Sequence, residues 1–159
     1  MRPAVLEAYK DGNEELFKRK NRQMYALVFY VSVGVAILFN IFAELAIYIL
    51  YGKSYMPAAL PLRIVSWYTA FSYLGVARDV WVVCENRQKY LIFVYASSAV
   101  ANVLLNWLLI PVMGAVGAAI ASFVAQSMTV MVVPFFIKGM RQNSILMIEA
   151  ILLKGIRKK

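Results

Sequence analysis

A small set of polar residues falls inside otherwise apolar stretches, where a group that ionises or hydrogen-bonds is costly unless it finds a partner or water. Glu44, Arg63, Arg78 and Asp79 carry charge there, and Asn102, Asn106 and Gln126 carry amides. Guanidinium groups bind phosphate through paired hydrogen bonds. Arg63 and Arg78 are fifteen residues apart, which leaves them about 60° apart around a helix axis. Both could border one basic cavity suited to an anionic substrate. Local ion pairing, or snorkelling of the long side chains to a membrane surface, is the competing explanation. Ser98, Asn102 and Asn106 recur every four residues, and Ser122, Gln126 and Thr129 follow at four and three. Each set forms a polar stripe that either bonds a neighbouring helix or lines a hydrated sugar path. Glu44 and Asp79 are the candidate carboxylates for coupling to an ion.

Enzyme chemistry has little to work with. Histidine is absent and cysteine occurs once, which removes the usual zinc sites, Cys/His and Ser/His nucleophile pairs, and any intrachain disulfide. The two carboxylates within apolar runs, Glu44 and Asp79, are separated in sequence and expected at opposite membrane interfaces. The expectation is therefore a non-enzymatic protein with no catalytic residue, metal or cofactor.

The elements that position these residues are apolar and long. Of 159 residues, 62% are hydrophobic and only 16% charged, far from the balance of a soluble domain. Runs at 24–50, 60–83, 90–110 and 116–137 are each long enough to cross a bilayer as a helix. Pro111 closes the third run, and Val112-Met113-Gly114-Ala115 links it tightly to the fourth. Pro134 lies near the end of the fourth, where it frees a carbonyl that a neighbouring helix must satisfy. Gly114, Ala118, Ala121 and Ala125 form a small-residue stripe for close helix packing. Residues 1–23 read as a helical arm, broken at Asp11-Gly12-Asn13 and restarting at Glu14 and Glu15, whose charge suits a helix N-terminus. Residues 138–159 form a basic tail with Ile145, Ile148, Leu152 and Ile156 on one helical face, suited to lying along inner headgroups. The fold class expected is all-α, an integral membrane bundle of four transmembrane helices plus these two flanking helices.

Charge placement sets the orientation. The net charge of +9 would suit nucleic acid, but the cations flank the apolar runs and instead suit the anionic inner leaflet. The arm carries Arg2, Lys10, Lys18, Arg19, Lys20 and Arg22. The first link holds Lys53, the second Arg87 and Lys89, and the third none; the tail carries Lys138, Arg141, Lys154, Arg157, Lys158 and Lys159. Short basic loops stay in the cytoplasm, so both termini are expected there, in a multi-pass protein of the inner membrane. Tyr25, Trp81 and Tyr90 are expected at the inner interface, and Tyr48, Tyr51, Tyr55, Trp67 and Trp107 toward the outer one.

Together these residues resemble the C-terminal domain of polysaccharide biosynthesis proteins, the lipid-linked oligosaccharide flippases of the multidrug, oligosaccharidyl-lipid and polysaccharide exporter superfamily. The stretch from Asn102 to Ser122 carries most of the likeness, with its asparagine pair, the Ile110-Pro111 turn and the Gly117-Ala118-Ala119 run. Pro3, Gly12-Asn13, Tyr51-Gly52 with Tyr55, Leu62-Arg63-Ile64 and Lys89-Tyr90 add to it. The resemblance implies a flippase that moves a pyrophosphate-bearing, lipid-linked oligosaccharide across the bilayer, with Arg63 and Arg78 on phosphate and Asn102, Asn106 and Gln126 on sugar. Family members have about a dozen or more helices, so it also implies that this chain is the C-terminal part of a longer or split transporter, partnered by the missing N-terminal helices. A cation-coupled drug exporter using Glu44 or Asp79 is the first alternative. A membrane assembly protein that does not transport is the second.

Overall fold

The computed structural model describes Tyr9 and residues 14–153, and every regular element among them is helical. The long helix α1, Glu14–Tyr51, starts with Glu14 and Glu15 in its first turn, where carboxylates meet the positive end of the helix dipole. It runs without a break from the basic arm into the first apolar run, so the boundary expected near residue 23 is a change of composition and not of backbone. The break expected at residues 11–13 lies outside the described residues. Gly52, at φ 81°, adopts the left-handed backbone that glycine tolerates best. A short 3-10 segment, Lys53–Ala58, then leads into α2, Ala59–Cys84. The two helices are antiparallel neighbours: Asn40 reaches Ser66, and Glu44 reaches Arg63.

Along α3, Lys89–Ser127, Gly114 alone departs from helical backbone angles, with φ of 55° and ψ of −130°. The chain folds back there. A Cβ on Gly117 would lie 2.4 Å from the Leu109 carbonyl oxygen, whereas a straight helix would separate those residues by about 12 Å. Ser98 likewise reaches the Ala125 carbonyl at 3.4 Å. Thus α3 is a hairpin of two antiparallel arms, with Gly114 at the apex. The first arm passes through Pro111 instead of ending there.

The second arm continues into a π-helical turn, Met128–Val132, and then α4, Val133–Phe136. Pro134 accounts for the wide turn, since its ring clashes with the carbonyl one α-turn back and it has no N–H to offer. The amide of Val133 turns to the Met128 carbonyl, five residues earlier. The matching donor for Thr129 would be Pro134, which has none. The final helix α5, Arg141–Ile151, folds back onto α1. Leu146, Met147 and Ala150 are buried, Tyr25 donates to Asn143 Oδ1 at 2.6 Å, and Arg22 pairs with Glu149 at 2.7 Å.

Tight packing gathers where α5 lies against α1 and α2, around Phe17, Met24, Tyr25, Trp81, Val82, Met140 and Met147. Tyr25 and Trp81, expected at the inner interface, are 0% and 3% exposed, packed in this cluster with Met140 and Met147. Ile145 and Ile148 on α5, and Leu152 just past its end, are exposed, while Ile156 lies outside the described residues. Away from this core the surface is oily: Ile49, Leu50, Ile92, Phe93, Trp107 and Val112 are all exposed. Two helical stretches are long and apolar enough to cross a membrane, Glu14–Tyr51 and Lys89–Phe136. Only 22% of the apolar window in each is buried, so neither is a covered core helix.

Candidate functional site: a polar cavity beside a buried ion pair

Between α2 and the two arms of α3 lies a polar cavity of about 290 Å³, lined by Tyr68, Tyr95, Ser98, Ala99, Asn102, Ser122, Ala125 and Gln126. Helical spacing builds it. Tyr95, Ser98 and Asn102 follow one another by about one turn on the first arm, and Ser122 and Gln126 do so on the second. Alanines at 99 and 125 leave the room between them. Gly75 brings α2 close, since a Cβ there would sit 3.2 Å from Val130 and 3.6 Å from the Gln126 amide nitrogen. The polar lining is hydroxyls and amides, neutral groups that both donate and accept. Such a surface matches a ligand rich in hydroxyls better than a bare ion.

Arg78 lies beside this cavity, 1% exposed. Its Nε and Nη2 donate to Asp79 Oδ1 at 3.1 and 2.8 Å, and its Nη1 donates to the Thr129 carbonyl at 2.7 Å. That carbonyl is the one Pro134 deprives of a backbone donor, so the guanidinium supplies the missing hydrogen bond. Two bridges connect the pair to the cavity. Tyr95 donates to Asp79 Oδ2, with its ring centroid 5.8 Å from the guanidinium. Thr129, about two turns beyond Ser122, shares a hydroxyl hydrogen bond with Ser98.

No family model, curated protein or solved structure matches this chain.

Geometry alone therefore says which sequence-expected residues come together. Asn102 and Gln126 face one cavity. Asn106 stands beside it, donating to the Asn102 carbonyl and side-chain oxygens at 2.9 Å, so it orients Asn102. Arg63 is held elsewhere, in a clasp between α1 and α2. It donates to Glu44 at 2.9 Å and to the Asn40 carbonyl at 3.1 Å, while Asn40 donates to Ser66 at 2.8 Å. Neither Arg63 nor Arg78 lines the cavity, and each already holds a carboxylate, Glu44 and Asp79 respectively. Their angular proximity does not bring them together, because fifteen residues of helix separate them by about 22 Å along the axis.

Sequence reasoning missed Tyr68, Tyr95 and Asn40. Tyr95 was findable, since it stands three residues before Ser98 on the same helical face. Tyr68 precedes Asp79 by eleven residues, about three turns, which also places the two on one face. Asn40 carries a weaker signal, an amide within an apolar run.

Proposed function

We propose that this chain is the C-terminal part of a membrane flippase that carries a lipid-linked oligosaccharide across the inner membrane. In this reading it crosses the bilayer four times, through α1, α2 and the two arms of α3, with both ends cytoplasmic. The exposed apolar faces support immersion in lipid, because a soluble monomer rarely leaves so continuous an oily surface uncovered. The observation that carries the transport reading is the polar cavity between those faces. A water-accessible polar site within helices that are apolar outside marks a substrate path in membrane proteins. At about 290 Å³ it matches the lower end of ligand pockets, about 300 Å³.

Asn102 and Gln126 hydrogen-bond the sugar in this scheme, with Ser98, Ser122 and the two tyrosines completing the lining. Phosphate contact at Arg63 or Arg78 requires that residue to exchange its carboxylate partner for the phosphate. The lipid tail stays in the bilayer while the head group passes.

The test is a binding titration in detergent with a polyprenyl-pyrophosphate-linked oligosaccharide and with the same lipid lacking sugar. The sugar-bearing lipid is expected to bind more tightly, and Asn102→Leu with Gln126→Leu to abolish only that difference. Equal binding of the two lipids by the native protein refutes the reading. One observation favours the drug-exporter alternative: Asp79 is a carboxylate hydrogen-bonded by the cavity residue Tyr95. Proton-driven dye efflux that is lost in Asp79→Asn would establish it in place of the flippase.

A further inference from the structure

The link between α2 and α3 meets the corner between α4 and α5 at one edge of the bundle. Arg87 Nη1 donates to the Gly139 carbonyl, and a Cβ at Gly139 would fall 2.6 Å from the Tyr90 ring. Glycine is what lets the two connections close. Cations gather around this contact. Arg87 lies 5.7 Å from the Trp81 ring centroid, and Lys89 lies 5.5 Å from that of Tyr90. Lys138 is exposed beside Gly139, and Arg141 leans on Phe135 at 5.1 Å.

Among the described residues, Glu85 is the one carboxylate within ion-pair distance of these four cations, 3.8 Å from Arg87. Four positive charges against one negative leave a local surplus of three. Elsewhere the balance differs: Lys18 pairs with Glu14, and Arg22 pairs with Glu149. Directly before the corner, Val132 and Phe136 are exposed, so the cations stand at the end of an oily surface.

We propose that this edge binds the headgroup of an anionic phospholipid. Lys89 and Lys138 hold the phosphate, Arg87 fixes the two connections around it, and the acyl chains run along Val132 and Phe136. The neighbouring apolar residues select a lipid over a soluble phosphate, because a free anion gains nothing from them. The assignment rests on the membrane reading above, but it uses no residue of the polar cavity. Failure here therefore leaves the sugar titration standing.

The experiment counts lipids bound to the detergent-purified protein by native mass spectrometry, titrated with phosphatidylglycerol or phosphatidylcholine. Phosphatidylglycerol is expected to bind preferentially. Lys89→Gln with Lys138→Gln should weaken it about fivefold per charge, since each basic group near an anionic surface contributes about that factor. Both side chains are exposed, so this variant keeps the Arg87–Gly139 bond and the fold. Arg19→Gln with Lys20→Gln removes the same charge from the arm and should stay within about twofold of the native protein. Equal weakening in the arm variant overturns the site in favour of general charge attraction. So does equal binding of the two lipids, and competition by glycerol 3-phosphate would make the ligand a soluble phosphate instead.

Discussion

If Arg78 replaces the backbone donor that Pro134 lacks, the two residues are energetically coupled although they sit on different helices. Arg78→Ala leaves the Asp79 carboxylate without its cation and the Thr129 carbonyl without its donor. Removing one partner of a buried ion pair costs about 3–5 kcal/mol, and a buried unsatisfied carbonyl about 1–3 kcal/mol. Pro134→Ala restores an N–H to position 134, so the helix itself can satisfy the carbonyls of that turn. Only the carbonyl part of the Arg78 loss should then be recovered. Measured polar contacts within membranes average about 0.6 kcal/mol and reach about 1.7 kcal/mol, which sets the expected coupling at about 1–1.7 kcal/mol. The assay is a double-mutant cycle on unfolding in mixed micelles, with the Arg78→Ala penalty smaller in the Pro134→Ala background. A coupling below about 0.5 kcal/mol would refute the idea that the guanidinium answers the proline.

Two further outcomes follow from local geometry. Gly117→Ala should destabilise the hairpin by about 1–3 kcal/mol in the same unfolding assay, as overpacking does, because the new methyl meets the Leu109 carbonyl; a neutral result would mean the arms are not in contact there. Burial pushes the Cys84 thiol above its ordinary pKa, and the Glu85 carboxylate adds to the shift. The folded state therefore favours the protonated thiol, a contribution complete below the unfolded thiol's pKa and lost as pH rises through the raised one. Maleimide labelling of Cys84 should accordingly need a higher pH in the native protein than after unfolding, and identical pH profiles would contradict this.

The helical class and the polar stripes were legible because both depend on local spacing. Ser98 and Asn102 on one arm, with Ser122 and Gln126 on the other, needed only helical periodicity to be placed on single faces. The need for a partner near Pro134 was legible too, since a proline's missing N–H is a property of one residue. Its identity was not, because Arg78 meets Thr129 only through the rotation of α2 against the second arm of α3. The same limit explains Arg63 and Arg78, whose angle around a shared axis hid their distance along it. The burial of Tyr25 and Trp81 was hidden for another reason. Aromatic residues near the end of an apolar run look exposed until other helices pack on them, and α5, whose Asn143 accepts from the Tyr25 hydroxyl, lies over a hundred residues downstream of Tyr25.

The apex at Gly114 also bears on how such a chain is made. Between Pro111 and Ala115 no side chain is charged or hydrogen-bonding, and Gly117, three residues past the bend, already meets Leu109, five residues before it. Nothing there would hold the first arm as an independent stop while the second is still being synthesised. On the membrane reading proposed above, the arms would enter lipid at a translocation channel as a single folded unit, and the bend would offer proteases, antibodies and glycosylating enzymes almost nothing to grip.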